Sequence, residues 1–240
     1  MPVQYNRAVL KLSGESLRGD SATGLDWSVL AYIANEAKTV LDMGIKLALV
    51  VGGGNIWRGA EAEGKGMERA AADYAGMLAT VINALALQDA LENQGVETRI
   101  LSAIDIRAVA DPFIRRDAIN HLNRGRVVIF AAGTGNPYMT TDTTAGLRAV
   151  EIGADLLLMA KNGVDGVYDG DPLTNRSAKK FDRMQYIELI NLRLQVMDST
   201  AVSLCMEHNM PIRVFDMFDQ GSTARILGGE SIGTLIDSGL

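Results

Sequence analysis

Three apolar runs of this chain each empty into a glycine-rich loop, and that repeated arrangement leaves few folds open. Ala8–Leu10 leads into Lys11-Leu12-Ser13-Gly14, and Leu47–Val51 leads into Gly52-Gly53-Gly54-Asn55. Val127–Phe130 leads into a loop ending at Asp142, and a helical pattern, TTAGLRAVEI, follows up to Gly153. A strand that delivers a Gly/Thr-rich loop onto a helix N-terminus presents free N–H groups and the positive end of the helix dipole, which suits phosphate. Three such loops point to two phosphorylated ligands rather than one.

The rest of the chain continues the alternation. Leu30, Ile33, Ala34, Ala37, Val40 and Leu41 recur at helical spacing, and Gly44 stands where a helix-ending glycine belongs. Ile45–Val51 reads as a strand, and Met67–Asn93 as one long helix ended by Gly95. Strands are predicted at Thr98–Leu101, Arg126–Ala131 and Asp155–Ala160, with a helix near Phe113–Asn123. After Pro172 come two short helices, a strand at Ile212–Phe215, a helix near Ser222–Leu227 and a strand at Thr234–Ile236. Strand–helix alternation with near-continuous apolar strands predicts an α/β fold: a parallel sheet covered on both faces, with ligands beyond the C-terminal strand ends. At 240 residues the chain fits one such domain or two small ones, and Pro172–Lys180 is the one stretch that reads as a hinge.

Composition narrows the functions. A net charge of −6 repels nucleic acid and anionic membranes, so any nucleotide has to be held by local charge. The single Cys205 excludes an intrachain disulfide and fits a reducing cytosol. With only His121 and His208 beside it, the chain lacks the usual ligands of a zinc site. Arg7 and Lys11 interrupt the early apolar run, so no leader peptide is expected. The greasiest segment, Ala75–Leu91, carries Thr80, Asn83, Gln88 and Asp89 and reads as too short and too polar to span a bilayer. It is a core helix or a helix covered by a neighbouring subunit. A cytoplasmic protein is expected.

Several side chains in these loops carry chemistry, each with a plainer alternative. Lys11 is placed to swing over a phosphate, or is a solvated lysine at a strand end; the GxxxxGK[ST] pattern of a P-loop is absent. Consecutive glycines at 52–54 are costly unless the backbone must approach something closely, or else they form a plain tight turn, and Arg58 follows with a phosphate-matching guanidinium. Thr134, Asn136, Thr140 and Thr141 are donors for phosphate, sugar or base. Asp142 and Asp198 each open a helix, so each caps it or orients a lysine or hydrated Mg²⁺. Tyr168 offers a flat face for a purine and Asp171 an acceptor for a ribose, unless the 161–172 segment is only a surface loop. Asp73 is an acceptor for ribose or base, or a solvated helix residue.

Six ordered motifs resemble a known family: KLSGE (11–15), VVGGGNIWRG (50–59), ADYAGMLATVINALALQDAL (72–91), AGTGNPYMTTDTTA (132–145), VDGVYDGDP (164–172) and VMD (196–198). They are similar to the bacterial-type UMP kinases of the amino acid kinase superfamily, which are unrelated to the P-loop nucleoside monophosphate kinases. The resemblance spans essentially the whole chain. It implies a three-layer α/β/α sandwich with a mainly parallel central sheet, phosphorylating UMP with ATP and Mg²⁺. It implies one domain over 1–240, with about 1–153 on the phosphate-acceptor side and about 154–240 on the ATP nucleoside side.

By matching position, Lys11, Leu12, Ser13, Gly14, Gly54 and Arg58 would hold the ATP phosphates, and Asn162, Tyr168 and Asp171 the nucleoside. Gly53, Asp73, Thr134, Gly135, Asn136, Pro137, Tyr138, Met139, Thr140 and Thr141 would bind UMP. Asp142 and Asp198 would organise the lysines and the metal. Many relatives carry a lysine immediately before VDGV, where this chain has Gly163; Lys161 stands two residues earlier and is the candidate replacement. The family also implies a trimer of dimers packed through the long helix, with GTP activating and UTP inhibiting. Gly19, Asp20, Ser21, Ala22, Thr23 and Gly24, with Arg99 and Arg126, match positions tied to the GTP response. Two rivals stay open: a sibling kinase acting on carbamate or a carboxylate, and a nucleotide-binding regulator without turnover.

Overall fold

The computed structural model describes residues 4–172, 174–175, 177–194 and 196–239. In chain order the elements are β1 (Arg7–Leu12), α1 (Trp27–Asp42), β2 (Lys46–Val51), α2 (Gly59–Gly64), α3 (Arg69–Asn93), β3 (Thr98–Ser102) and β4 (Asp111–Pro112). Next come α4 (Arg115–Asn123), β5 (Val127–Ala131), α5 (Thr141–Ile152), β6 (Leu156–Lys161), β7 (Val167–Tyr168), β8 (Lys180–Phe181) and β9 (Arg183–Gln185). The chain closes with α6 (Tyr186–Asn191), α7 (Ser199–Glu207), β10 (Ile212–Asp216), α8 (Ser222–Leu227) and β11 (Thr234–Asp237).

Nine strands form one sheet in the order β4-β3-β5-β2-β1-β6-β10-β11-β9. All its pairings are parallel except that of β10 with β11. The central strands are apolar throughout because both of their faces are covered. Leu10, Leu49, Ile129 and Leu158 pack on one side with Ile33 of α1, Leu87 of α3 and Ile226 of α8. Val9, Val50, Val128 and Leu157 pack on the other with Leu122 of α4, Ala149 of α5 and Val202 of α7. This is the expected three-layer α/β/α sandwich around a mainly parallel sheet. Cys205, on α7, is fully buried, 3.1 Å from where a Cβ on Gly146 of α5 would stand. Burial pushes its thiol pKa up to about 12.

Local chemistry sets the helix ends. Asp26 caps α1 by accepting from Ser28 N at 2.8 Å, and Gly44 follows its C-terminus at φ 82°. Three features depart from the sequence reading. A short helix, α2, has no buried residue and so no apolar stripe to predict it. The 161–181 segment is more than a surface loop: β7 and β8 pair as a hairpin, and Val167 N donates to Thr234 Oγ1 at 2.8 Å. Leu173 and Arg176, within the stretch read as a hinge, lie outside the described residues. Finally, α3 is 25 residues long with a mean hydropathy of 1.4 over its most apolar window, so by length and composition it is not too short to cross a bilayer. Three of its polar side chains, Asp73, Thr80 and Asn83, are instead turned onto the loops described next, while Asp89, Glu92 and Asn93 are exposed.

Candidate active site

The loops after β1, β2, β5 and β6 meet at the C-terminal edge of the sheet. Gly14 lies against the second glycine loop so closely that a Cβ there would stand 2.5 Å from Gly54 N and 2.9 Å from Gly53 C. A Cβ on Gly53 would stand 2.8 Å from Gly76 O of α3. The close approach that these glycines serve is therefore partly backbone against backbone. Gly54 is different: its nearest neighbour would be the Glu15 side chain, at 3.6 Å to Cγ, so no backbone crowds that face.

Lys11 is only 8% exposed, so it is not a solvated strand-end lysine, and its Nζ lies 2.6 Å from Asp142 Oδ1. Asp142 does not cap α5; Thr140 does, accepting from Asp142 N and Thr143 N, both at 3.1 Å. That frees the Asp142 carboxylate for Lys11. Although close to the ammonium, Asp142 Oδ1 is buried and accepts no aligned hydrogen bond. Lys161, at the end of β6, donates to Val196 O. Burial first, then the charge of Lys11, lowers its pKa, while Asp142 opposes that shift. Lys11, Asp142 and Lys161 thus form one electrostatic cluster. Asp198 stands apart from it: it caps α7 through Ala201 N at 2.9 Å and accepts from the Thr140 hydroxyl and from Thr143 Oγ1 at 3.1 Å. Among the described residues no ion pair joins it to either lysine.

Two clefts lie near this cluster, the first reaching Thr141, the neighbour of Asp142, and the second bordered by Lys161. The first lies between the second glycine loop, α3 and the loop after β5. Gly53, Asp73, Thr134, Asn136, Met139, Thr140 and Thr141 of the expected acceptor set line it, together with Gly54. Gly135, Pro137 and Tyr138 are not on its wall; a Cβ on Gly135 would meet Ala103 O at 2.9 Å, and the Tyr138 side chain is exposed. Asp73 is no solvated helix residue: it accepts from Tyr138 N at 2.8 Å and from Arg69 Nε.

The second cleft, about 450 Å³, is lined by Tyr168 and Asp171 of the expected set and by Val164, Leu194 and Val196. That volume falls in the range of small-molecule sites. Tyr168 is held by its hydroxyl, which donates to Asp165 Oδ1 at 2.6 Å. Lys180 and Tyr168 together hold the Asp165 carboxyl below its usual range. Asp171 accepts from Thr174 Oγ1 at 3.1 Å. Lys161 borders this cleft and a neighbouring one lined by Lys11, Ser13, Glu15, Arg18 and Asn162, so the two form a trough leading to the lysines. Leu12 is fully buried and offers only its backbone, and Arg58 pairs with Glu15 at 2.7 Å.

The positions matched to the GTP response fall in two places within the chain. Gly24 sits against the second glycine loop, donating to Asn55 O at 3.0 Å and accepting from Asn55 Nδ2 at 2.7 Å. Arg99 and Arg126 meet on Glu97, at 3.2 and 2.7 Å, where β3 and β5 begin, at the opposite end of the strands. Arg126 also contacts His121, whose pKa is lowered by burial and then by the arginines.

Sequence reading missed several wall residues: Trp57, Gly76, Met77 and Thr80 of the first cleft and Arg18 of the trough. Thr80 and Asn83 carried the available signal, being polar positions inside the most apolar helix. Both are buried, and Asn83 donates to Gly52 O at 2.7 Å while exchanging amide hydrogen bonds with Asn55.

Fold and site together define a kinase of known lineage: the amino acid kinase family matches residues 6–216, and the chain belongs to that family. Within it, the chain is similar to the UMP kinase of Bacillus anthracis, with TM-score 0.95 and 41% identity over 98% of this chain and 97% of that one. It is similar to the UMP kinase of Ureaplasma parvum, with TM-score 0.91 and 36% identity over 99% of this chain and 100% of that one. The uridylate kinase of Archaeoglobus fulgidus matches with TM-score 0.73 and 28% identity over 95% of this chain and 99% of that one.

Proposed function

We propose that this chain is a UMP kinase, moving the γ-phosphoryl group of ATP onto UMP to give ADP and UDP. The observation that carries the reading is the Lys11–Asp142–Lys161 cluster beside two clefts, each walled in part by one of the expected nucleotide sets. The acceptor's phosphate has a second pKa of about 6, so at neutral pH it is largely a dianion and needs no general base. Its oxygen forms a bond to the γ-phosphorus as the bond from that phosphorus to the bridging oxygen of ADP breaks. The obstacle is bringing two polyanions into line. Lys11 and Lys161 offset that repulsion, and the α5 N-terminus adds its dipole, so charge and position do the catalytic work.

The residues fit a Mg²⁺ ion that arrives with ATP. Among the described residues no cluster of three His, Cys, Asp or Glu side chains forms a protein cage, and Mg²⁺ characteristically uses one or two carboxylates plus substrate phosphates. Asp142, a carboxylate held beside the Lys11 ammonium at the start of α5, is the residue that would hold it. The ion would neutralise phosphate charge during transfer.

On this reading the 1–153 part serves the acceptor and the 154–240 part the ATP nucleoside, within one domain. Asn162, Tyr168 and Asp171 bind the nucleoside, Ser13, Gly14, Gly54 and Arg58 the triphosphate, and Asp198 orders the acceptor loop through Thr140 and Thr143. GTP acts as activator through Gly19–Gly24, Arg99 and Arg126, and UTP as inhibitor. The active form is a hexamer built as a trimer of dimers, working in cytoplasmic pyrimidine nucleotide synthesis. ADP release from ATP·Mg²⁺ with UMP, CMP, dTMP, carbamate and glutamate, each with and without GTP, tests the reading. Release with UMP, raised by GTP, is the expected result. Release with carbamate or glutamate instead, or binding without release, would replace it with a sibling kinase or a regulator.

A further inference from the structure

The loop after β5 contains two non-glycine residues in the left-handed region, Ala132 at φ 61° and Tyr138 at φ 68°. An L residue is strained there and stays only where its surroundings impose it. Both residues give their N–H to α3. Ala132 N donates to Thr80 Oγ1 at 2.7 Å, and Tyr138 N donates to Asp73 Oδ2 at 2.8 Å. Positions 73 and 80 are two helical turns apart and share one face of α3. The Thr80 hydroxyl gives its own proton to Met77 O at 2.7 Å, so only its lone pairs face Ala132. It is 3% exposed, and the same helical turn touches the other loop: a Cβ on Gly53 would lie 3.3 Å from Thr80 N.

We propose that Thr80 is a positioning residue for the acceptor's phosphate, acting through Ala132. By holding Ala132 left-handed, it keeps Gly133 and Thr134 at the wall of the first cleft, where Thr80 itself also lies. Asp73 does the same at the far end of the loop, so one helix face fixes both strained residues. This rests on reading that cleft as the UMP site.

Three variants separate a clamp from a mere core hydrogen bond. Thr80→Val keeps the shape and removes the hydroxyl, Thr80→Ser keeps the hydroxyl, and Thr80→Val with Ala132→Gly removes clamp and strain together. Thr80→Val should raise KM for UMP about tenfold, the scale of one buried hydrogen bond. KM for ATP should stay within about twofold, since only acceptor binding is touched. Thr80→Ser should restore the wild-type value, and the double variant most of it. An unchanged UMP KM in Thr80→Val overturns the proposal, as does a joint rise of both KM values that the double variant fails to relieve. Hydrogen exchange of the Ala132 amide in nucleotide-free protein gives a readout independent of substrate. Faster exchange in Thr80→Val supports the clamp, and unchanged exchange overturns it. A wild-type protein that releases no ADP with UMP would instead sink the kinase reading, whatever the Ala132 amide does.

Discussion

Lys11 and Asp142 come from a strand end and a helix start far apart in sequence, and each removes the other's excuse for being there. A buried lysine needs a counter-charge, and a carboxylate in the first turn of α5 was free because Thr140 had taken the cap. On the proposed mechanism, the pair leaves the ammonium poised where charge must be stabilised during transfer. Lys11→Ala should therefore lower kcat by about a hundredfold or more, the scale seen when one transition-state donor is removed. KM for UMP should move far less, and steady-state kinetics with both substrates varied would show it; comparable loss of both would overturn the assignment. Lys161 makes a second prediction. Burial disfavours its charged form, so the proton leaves below the ordinary lysine range. If the cation is the working form, kcat/KM for ATP falls as pH rises through that lowered value. Lys161→Arg, which stays charged, should shift this alkaline limb upward in a pH–rate profile, and an unmoved limb would dissociate Lys161 from it.

At the scale of elements, α5 and α7 are joined at their N-termini by Asp198, which caps one helix and takes hydroxyls from the other. Asp198→Ala should cost about 1–2 kcal/mol in urea unfolding, the range of a lost cap, while Asp198→Asn should recover much of it. The same scale explains what the sequence disclosed. The central strands were legible because burial on both faces left unbroken apolar runs at Ala8–Leu12, Leu47–Val51 and Val127–Ala131. β7, β8 and β9 were not, because strands of two or three residues carry no period, and α2 buries nothing. The loops facing the clefts were legible from their glycines and threonines. Beyond Asp73, the α3 wall was not, since one hydroxyl among apolar residues looks like tolerance until the fold brings Ala132 beside it. The pairing of Lys11 with Asp142 likewise needed β1 and α5 to meet.

Across the whole molecule, α3 stands between the site and the surroundings. Asp73, Thr80 and Asn83 serve the loops, while Tyr74, Leu78, Ile82 and Leu85 are 46%, 51%, 50% and 36% exposed. An apolar stripe of this kind is a liability unless covered, which fits the proposed assembly through this helix. Leu78→Asp combined with Ile82→Asp should shift sedimentation toward the 25.7 kDa single chain and lower specific activity, because the opposite face of the same helix holds the loop after β5 that the proposed function assigns to the acceptor. Unchanged sedimentation would place the interface elsewhere. The seat of Cys205 has a practical consequence. The chain's one thiol is buried in the helical layer that holds α5, α6 and α7 and stays protonated well above neutral pH, so alkylating reagents meet it only when that layer opens. Its labelling rate is a clock for the opening of that layer, available without tag, dye or substitution.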